Sequence, residues 1–150
     1  MTSASSIRIR AYIDDDFEGV VALWHACGLL RPWNEPAKDI ALCRSTASSE
    51  LFVGLVGDTD DSAKLSATVM TGSDGHRGWM YYLAVDPAMR RKGFARTMVH
   101  YAENWLALLG IRKVELMIRE DNEAVRSFYE KIGYAVEARI IMSRWIVDKK

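Results

Sequence analysis

The stretch that decides the fold runs from Tyr81 to Val99 and reads YYLAVDPAMRRKGFARTMV. Its apolar beginning predicts a buried strand, which Asp86 and Pro87 end, and apolar residues at helical spacing resume after Gly93. The turn between strand and helix is basic and contains a glycine. Because a helix N-terminus leaves backbone N–H groups free and carries partial positive charge, this arrangement favours binding of an anion such as phosphate.

The candidate anion site is one continuous segment of the chain. Its members are Arg90, Arg91, Lys92, Gly93, Phe94, Ala95 and Arg96. Gly93 and the small Ala95 let the backbone approach a phosphate closely. The segment matches neither the GxxxxGK[ST] phosphate loop nor the GxGxxG dinucleotide loop. The alternative interpretation is an ordinary connection between strand and helix whose charges are solvated.

The composition indicates an ordinary globular protein. The chain has 150 residues, of which 49% are hydrophobic and 27% are charged, and this excludes disordered, collagen-like and disulfide-scaffold classes. Twenty Lys and Arg residues balance 20 Asp and Glu residues, whereas a nucleic-acid-binding protein is usually clearly basic. The first residues lack the apolar core of a signal peptide, and no apolar run is long enough to span a bilayer. We therefore expect a cytoplasmic protein with neither a nucleic-acid nor a membrane partner.

Cys27 and Cys43 are the only cysteines in the chain. Two thiols cannot build a four-cysteine zinc site, and we expect no metal site. In a chain with no export signal we expect both thiols to be reduced and buried, and a disulfide between them is the minority interpretation.

The patterns along the chain predict the element order β-α-α-β-β-β-α-β-α-β-β. The predicted strands cover residues 7–12, 51–56, 64–71, 79–85 and 113–118, with one or two more over 134–145. The predicted helices follow Asp14–Asp16, Asn34, Gly93 and Asn122. This order predicts a mixed sheet with helices on both faces, of the α/β or α+β class. We expect one domain over residues 1–150, with residues 1–6 as a flexible tail.

Two signatures in this chain resemble those of a known family. The pattern R-x-x-G-x-A after a strand ending in V-D-P resembles motif A of the GCN5-related N-acetyltransferases, the GNAT superfamily. Residues Glu120 to Tyr134, EDNEAVRSFYEKIGY, are similar to the family's second signature, N-x-x-(A/V)-x-x-x-Y-x-x-x-G-(F/Y). The segments LLRPWN, from Leu29, and DGHRG, from Asp74, are similar to a bacterial subgroup, the YpeA-like acetyltransferases. The resemblance covers nearly the whole chain, although its N-terminal third matches only by element order.

The resemblance implies a fold and an activity. The implied fold is a mixed, mostly antiparallel central sheet of 6-7 strands flanked by about 4 helices. The implied activity is acetyl-CoA-dependent N-acetyl transfer to a primary amine of a small molecule, an amino acid or a peptide. Because neither signature contains a cysteine, we expect direct attack by the amine in a ternary complex rather than a covalent acyl-enzyme. A homodimer is also common among proteins of this kind.

The resemblance also implies which residues bind acetyl-CoA. The backbone from Arg91 to Arg96 would hold the pyrophosphate, with Arg90 beside it. The strand residues Leu83, Ala84 and Val85 would pair with the pantetheine arm, where sheets of this family separate and a free N–H polarises the thioester carbonyl. Asn122 would contact the same arm, and we place Phe128 in this set. The alternative for Asn122 is a simple helix N-cap, and both roles can hold together.

Tyr129 corresponds to the tyrosine that lies near the thioester sulfur in this family. A phenol with a pKa of about 10 is a reasonable acid for a departing thiolate. Tyr129 follows Asn122 by two helical turns, so both side chains can face one ligand. Without the resemblance, the favoured interpretation would be a core tyrosine beside Phe128.

The acceptor side is less determined. We expect an acceptor pocket whose aromatic and charged wall suits a cationic amine or an amino acid. Its predicted members are Arg31, Trp33, Asn34, Asp74, Tyr81 and Tyr82. Trp24 could join them, although core packing is favoured there. The base that deprotonates the amine is left open among five candidates, which are Asp74, Glu115, Tyr81, Tyr82 and His76.

Other functions remain open on the sequence. An acyl-CoA sensor that binds without turnover and an interaction domain without a ligand are two of them. A ribosomal-protein-type N-terminal acetyltransferase is another, because such enzymes resemble this chain near its second signature. They carry a Glu five residues before the Asn, however, where this chain has Met117.

Overall fold

The computed structural model describes residues 6–59 and 61–148, which form two compact units divided after Leu116. The strands are β1 (Ile7–Ala11), β2 (Ser49–Val56), β3 (Lys64–Ser73), β4 (Gly78–Val85) and β5 (Val114–Glu115). The helices are α1 (Phe17–Ala26), α2 (Pro36–Arg44), α3 (Phe94–Leu108) and α4 (Glu123–Lys131). The prediction of a flexible tail falls mainly on residues 1–5, which lie outside the described residues. The prediction of one domain over the whole chain stays a prediction.

The first unit contains one mixed sheet whose strands stand in the order β1-β2-β3-β4-β5. The first four strands pair in antiparallel fashion, and β5 pairs with β4 in parallel. Parallel neighbours need a crossover connection, which α3 supplies between β4 and β5. The mixed sheet is confirmed, but the described residues hold five strands and not six or seven.

Helices cover both faces of this sheet. Side chains alternate between the two faces along a strand, so Leu51 and Val53 share one face while Phe52 points to the other. On the first face the buried residues of α1 and α2 pack with Leu51 and Val53. On the second face the ring of Phe52 meets Tyr101 and Trp105 of α3 edge-on. This arrangement confirms the prediction of helices on both faces.

A close approach fixes α3 against β4. A Cβ atom at Gly78 would lie 2.7 Å from Cδ1 of Leu106, so a larger residue there would force the Leu106 side chain to move. Met98, Val99, Ala102 and Leu106 form the buried stripe of α3. The beginning of β4 and the last turn of α3 are therefore in close contact, at the ends of these elements that lie away from the turn joining them.

Two helix starts differ from the sequence prediction. Asp14–Asp16 form a 3-10 turn, and Asp16 is the N-cap residue of α1 as expected. Its side chain accepts hydrogen bonds from the Arg10 guanidinium and the Ile13 amide, however, and not from the first turn of α1. Helix α2 begins at Pro36 after Glu35. Asn34 is not its cap, because its side-chain oxygen accepts from the Arg31 amide, 2.8 Å away, and closes the preceding loop. No helix of the described residues is long and apolar enough to cross a membrane.

The second unit is built on α4. Its N-cap is Asn122, whose side-chain oxygen accepts from the Val125 amide at 3.2 Å. The buried ring of Tyr129 meets Phe128 and Tyr134 edge-on. The prediction of one or two strands over residues 134–145 is wrong. Described residues 134–148 contain no strand, because their alternating apolar pattern finds no partner backbone to complete a ladder.

Candidate active site

A β-bulge bends β4 in the middle of the decisive stretch. Met70 faces Tyr81 and Thr68 faces Ala84, so one residue of β3 stands opposite two residues of β4, Tyr82 and Leu83. Tyr82 adopts a φ of 51°, in the left-handed region, which costs a residue with a Cβ about 1–2 kcal/mol. Strain of this kind is typical of functional sites.

Strand β4 then separates from β5. The two strands pair only at Gly78 with Val114 and at Trp79 with Glu115. Beyond Trp79 the β5 side of β4 has no strand partner among the described residues. The predicted pantetheine-binding residues Leu83, Ala84 and Val85 all lie in this open half of β4.

The turn after β4 leads into α3, and no side chain caps the start of this helix. Gly93 is the N-cap residue of α3, with a φ of 81°, and no side chain caps the first turn. The first turn also contains no acidic residue. The N–H groups of Phe94, Ala95 and Arg96 therefore remain available to an anion. A Cβ at Gly93 would meet nothing within 4 Å, so glycine is needed here for its conformation and leaves space above the helix start.

The charges around this helix start are basic and exposed. Arg90, Arg91, Lys92 and Arg96 all have exposed side chains. Arg91 has a φ of 65°, and together with Tyr82 it is one of two non-glycine residues with positive φ in the described chain. Both strained residues thus lie in the stretch that the sequence singled out. The donor set, free N–H groups with flanking cations, fits a diphosphate.

The same stretch lies inside a match to a family model. Residues 9–134 match the model described as the acetyltransferase (GNAT) family. The chain belongs to this family. It is similar to an acetyltransferase of Yersinia pestis, with 42% identity over 96% of the chain and 99% of that protein. It is also similar to an acetyltransferase of Pectobacterium atrosepticum, with 39% identity over 96% of the chain and 99% of that protein.

Solved structures of N-acetyltransferases share the fold. The aminoglycoside N-acetyltransferase AAC(6')-Iy in complex with CoA gives a TM-score of 0.76 at 16% identity, covering 98% of this chain and 99% of that one. The glucosamine-6-phosphate N-acetyltransferase of Arabidopsis thaliana gives a TM-score of 0.70 at 21% identity, covering 95% and 99%. The predictions of an acetyl-CoA-dependent N-acetyltransferase and of acetyl-CoA as its cosubstrate are confirmed.

The residues predicted for the acceptor lie in three places of the first unit. Arg31, Trp33 and Asn34 lie in the α1–α2 loop, where the Arg31 amide and the Asn34 side chain are hydrogen bonded to each other. Tyr81, in β4, is half-exposed, and burial raises the pKa of its phenol. Tyr82 is partly buried, and its ring stacks on Trp24, which is fully buried. The core interpretation of Trp24 is thereby confirmed.

Asp74 lies in the turn between β3 and β4. Its carboxylate accepts hydrogen bonds from the amides of His76 and Arg77 and from the indole N–H of Trp79. The two backbone amides come first among the causes that lower its pKa to about 2. A carboxylate this weakly basic is a poor proton acceptor, so the structure favours a turn-forming role over a catalytic base. Glu115, another candidate base, lies on β5 with its Oε1 3.7 Å from Nε of Arg77.

The residues of the second signature lie in the second unit. Asn122 begins α4, and Phe128 and Tyr129 lie near its end. Burial raises the pKa of Tyr129, which keeps its phenol protonated at neutral pH and makes it a weaker acid than an exposed phenol.

Sequence reasoning missed three residues that support β4. The Tyr82 hydroxyl donates to Oδ2 of Asp39 at 2.7 Å, and the Thr68 hydroxyl donates to the Tyr82 carbonyl at 2.8 Å. The Cys27 thiol donates to the Val85 carbonyl at 3.3 Å. Cys27 and Cys43 are both free thiols, with Cys43 buried and Cys27 partly buried. Only the tertiary pairing reveals these contacts, because Asp39 reads as an ordinary helix residue and Thr68 as an ordinary strand residue.

Proposed function

We propose that this acetyltransferase transfers the acetyl group of acetyl-CoA directly to the primary amine of a small molecule, an amino acid or a peptide. One observation carries the proposal. The open half of β4 leads through a glycine turn into the uncapped start of α3, so a strand edge and an anion site follow one another along the chain. A ligand with an amide-bearing arm and a diphosphate has the chemistry to use both in turn.

The anion site would take the diphosphate. The amides of Phe94, Ala95 and Arg96 donate to phosphate oxygens at a helix start, and the exposed cations of the turn add charge. The open edge at Leu83 and Val85 offers backbone groups to the amides of the pantetheine arm, in the manner of an added strand.

Bound acetyl-CoA supplies an activated acyl group to an attacking amine. Backbone N–H groups at the β4 bulge would stabilise the negative charge that develops on the carbonyl oxygen. The protonated phenol of Tyr129 would donate to the departing sulfur, and Asn122 would contact the pantetheine arm while it caps α4. These two roles rest on the second signature.

Neither cysteine is a suitable covalent carrier of the acetyl group. Burial raises the pKa of the Cys43 thiol to about 11, and the Cys27 thiol donates to a backbone carbonyl of β4. A thiol must lose its proton to act as a nucleophile. The state of both thiols therefore supports direct attack by the amine within a ternary complex.

The acceptor would bind beside the α1–α2 loop. Arg31 offers a guanidinium to a carboxylate or phosphate, and Trp33 and Tyr81 offer ring faces to a cation. Structural neighbours of the same fold are named for aminoglycosides and for glucosamine 6-phosphate, so those amines belong in the first screen. A homodimer and a cytoplasmic location stay predictions.

Calorimetric titration tests the cofactor side of the proposal. We expect acetyl-CoA and CoA to bind with micromolar affinity, and S-acetylpantetheine, which lacks every phosphate, to bind at least about 100-fold more weakly. Dephospho-CoA keeps the diphosphate and lacks the 3′-phosphate, so its affinity separates the contributions of these two groups to binding. Equal affinity for acetyl-CoA and S-acetylpantetheine would contradict the anion site.

Release of free CoA thiol tests the transfer itself. Each amine of the screen is added at saturating acetyl-CoA, and the acetylated product is identified by mass spectrometry. Tight acetyl-CoA binding without CoA release from any amine would favour the sensor function over the enzyme.

A further inference from the structure

The backbone of Tyr82 is strained and yet sharply defined. A φ of 51° is rare for a bulky residue, and here it falls inside a strand, at the bulge where two residues of β4 face one of β3. Nothing in the residue itself favours this conformation. The surrounding structure must therefore impose it.

Three contacts hold Tyr82 in place. Its ring stacks on the Trp24 ring with centroids 3.9 Å apart and an interplanar angle of 11°. Its hydroxyl donates to Asp39 Oδ2 at 2.7 Å. Its carbonyl accepts from the Thr68 hydroxyl, which in turn accepts from the Trp24 indole N–H at 2.9 Å. Trp24 and Thr68 are both fully buried. Water therefore cannot reach them to replace their hydrogen bonds, and their contacts with Tyr82 are retained.

These contacts connect two parts of the proposed site. Asp39 lies on α2, directly after the loop that carries Arg31 and Trp33. Leu83 follows Tyr82 in the open half of β4. A displacement of α2 would therefore reach the bulge through a single hydrogen bond, and the bulge orients the backbone groups beside which the thioester would lie.

We propose that Tyr82 is a positioning residue for acetyl transfer, which Asp39 holds from the acceptor side of the fold. Fixed backbone donors stabilise developing charge better than mobile ones, because they need no reorganisation as the charge forms. The inference rests on the proposed function. It also reassigns Tyr82 from contact with the acceptor to support of the strand.

Two conservative variants test the inference by steady-state kinetics. Tyr82→Phe keeps the stacked ring and removes only the hydroxyl, and Asp39→Ala removes its acceptor. Each should lower kcat about 5- to 20-fold while the Kd for CoA stays within about twofold. Asp39→Asn should restore most of the rate, since an amide oxygen also accepts from the phenol. The double variant should be no slower than either single one, because both remove the same bond.

Hydrogen exchange provides a readout that needs no turnover. In the free protein, the amides of Leu83 and Ala84 should exchange at least about fivefold faster in Tyr82→Phe and Asp39→Ala than in the wild type, while Val53 in β2 is unchanged. Tyr101→Phe is the matched control, because Tyr101 lies on α3 and packs against Phe52. It should alter neither kcat nor the exchange of β4.

The outcomes distinguish this inference from the function on which it rests. If the wild type acetylates an amine and the two variants lose only thermal stability, with kcat unchanged well below their Tm, the inference is wrong and the function stands. Uniformly faster exchange across β2 and β4 would also contradict it. A wild type that binds no CoA would overturn the proposed function and this inference together.

Discussion

Thr97 binds Gly93 twice, because its backbone amide and its side-chain hydroxyl both donate to the Gly93 carbonyl oxygen, at 3.1 and 3.0 Å. The start of α3 is thus fixed through a carbonyl group. The amides of the first turn take no part in this contact, and no side chain caps them. A rigid helix start whose backbone N–H groups remain available is suited to reversible binding of an anion.

Substitution of Gly93 should separate charge from backbone strain. Gly93→Asp places a carboxylate at the helix start and should weaken acetyl-CoA binding about 10- to 100-fold. Gly93→Asn has the same shape and similar tolerance of positive φ, without the charge, and should weaken binding only a few-fold. Calorimetry with the two variants gives the comparison. Equal affinities for Asp and Asn would show that no phosphate lies at this position.

The phenol of Tyr129 should contribute to the rate and not to binding. Tyr129→Phe should lower kcat about 10- to 1,000-fold and leave the Kd for acetyl-CoA nearly unchanged. The matched control is Tyr134→Phe, which alters a neighbouring ring that packs against Tyr129, at a position where the second signature accepts either residue. A small effect on kcat would indicate that water protonates the leaving thiolate.

Asp74 should make the stability of the protein depend on acidic pH. Its pKa in the folded protein, about 2, is lower than the unfolded value of about 3.9, so its carboxylate favours the folded state at neutral pH. That contribution should be lost as the pH falls from about 4 towards 2. The Tm of Asp74→Asn should therefore be below that of the wild type at pH 7, and the two should converge near pH 2. A constant difference in Tm across this range would contradict the assignment.

The ionisation of Asp74 should also make no contribution to the pH dependence of catalysis. A base that accepts the amine proton titrates in the profile of kcat/KM, whereas a turn-forming carboxylate does not. Asp74→Asn should retain the wild-type profile at pH 5–9. A loss of the acidic limb, where a catalytic base becomes protonated, would restore Asp74 as the catalytic base.

The hydroxyl of Thr68 should contribute to the free energy of unfolding through its hydrogen bonds in the core. Thr68→Val keeps the volume but leaves the Trp24 indole N–H and the Tyr82 carbonyl without this partner, and should cost about 2 kcal/mol of unfolding free energy. Thr68→Ser keeps the hydroxyl and loses a methyl group, and should cost about 1 kcal/mol. Urea unfolding of both variants gives the order. Greater loss in Ser than in Val would mean that packing outweighs the hydrogen bonds.

Much of the fold could be predicted because its signals are local. The strand ending at Asp86, the glycine turn and the long helix after Gly93 follow one another in sequence, and the structure has them in that order. The helix start at Asn122 was predicted for the same reason, since an N-cap acts on an amide three residues away.

The failures concern pairings between distant residues. The alternating apolar residues of 134–145 predicted strands, but a strand exists only where another backbone completes its hydrogen bonds. The positive φ of Tyr82 occurs at a residue that is not glycine, so the sequence carries no signal for it. Its hydrogen-bond partner Asp39 is 43 residues away. Asp74 is the exception, because the three N–H groups that occupy its oxygens belong to residues only two, three and five positions further along the chain. Sequence reasoning supplied the chemical type of a base there and left the turn as the alternative.

The open half of β4 also has a consequence for the protein in concentrated solution. A strand edge without a neighbour is a template on which a strand from another molecule can add, and this is a common beginning of aggregation. A reactant lying along that edge would shield it. The colloidal stability of the protein would then depend on the concentration of its acyl donor. A shortage of acetyl-CoA would both stop catalysis and leave the open strand edge exposed to self-association.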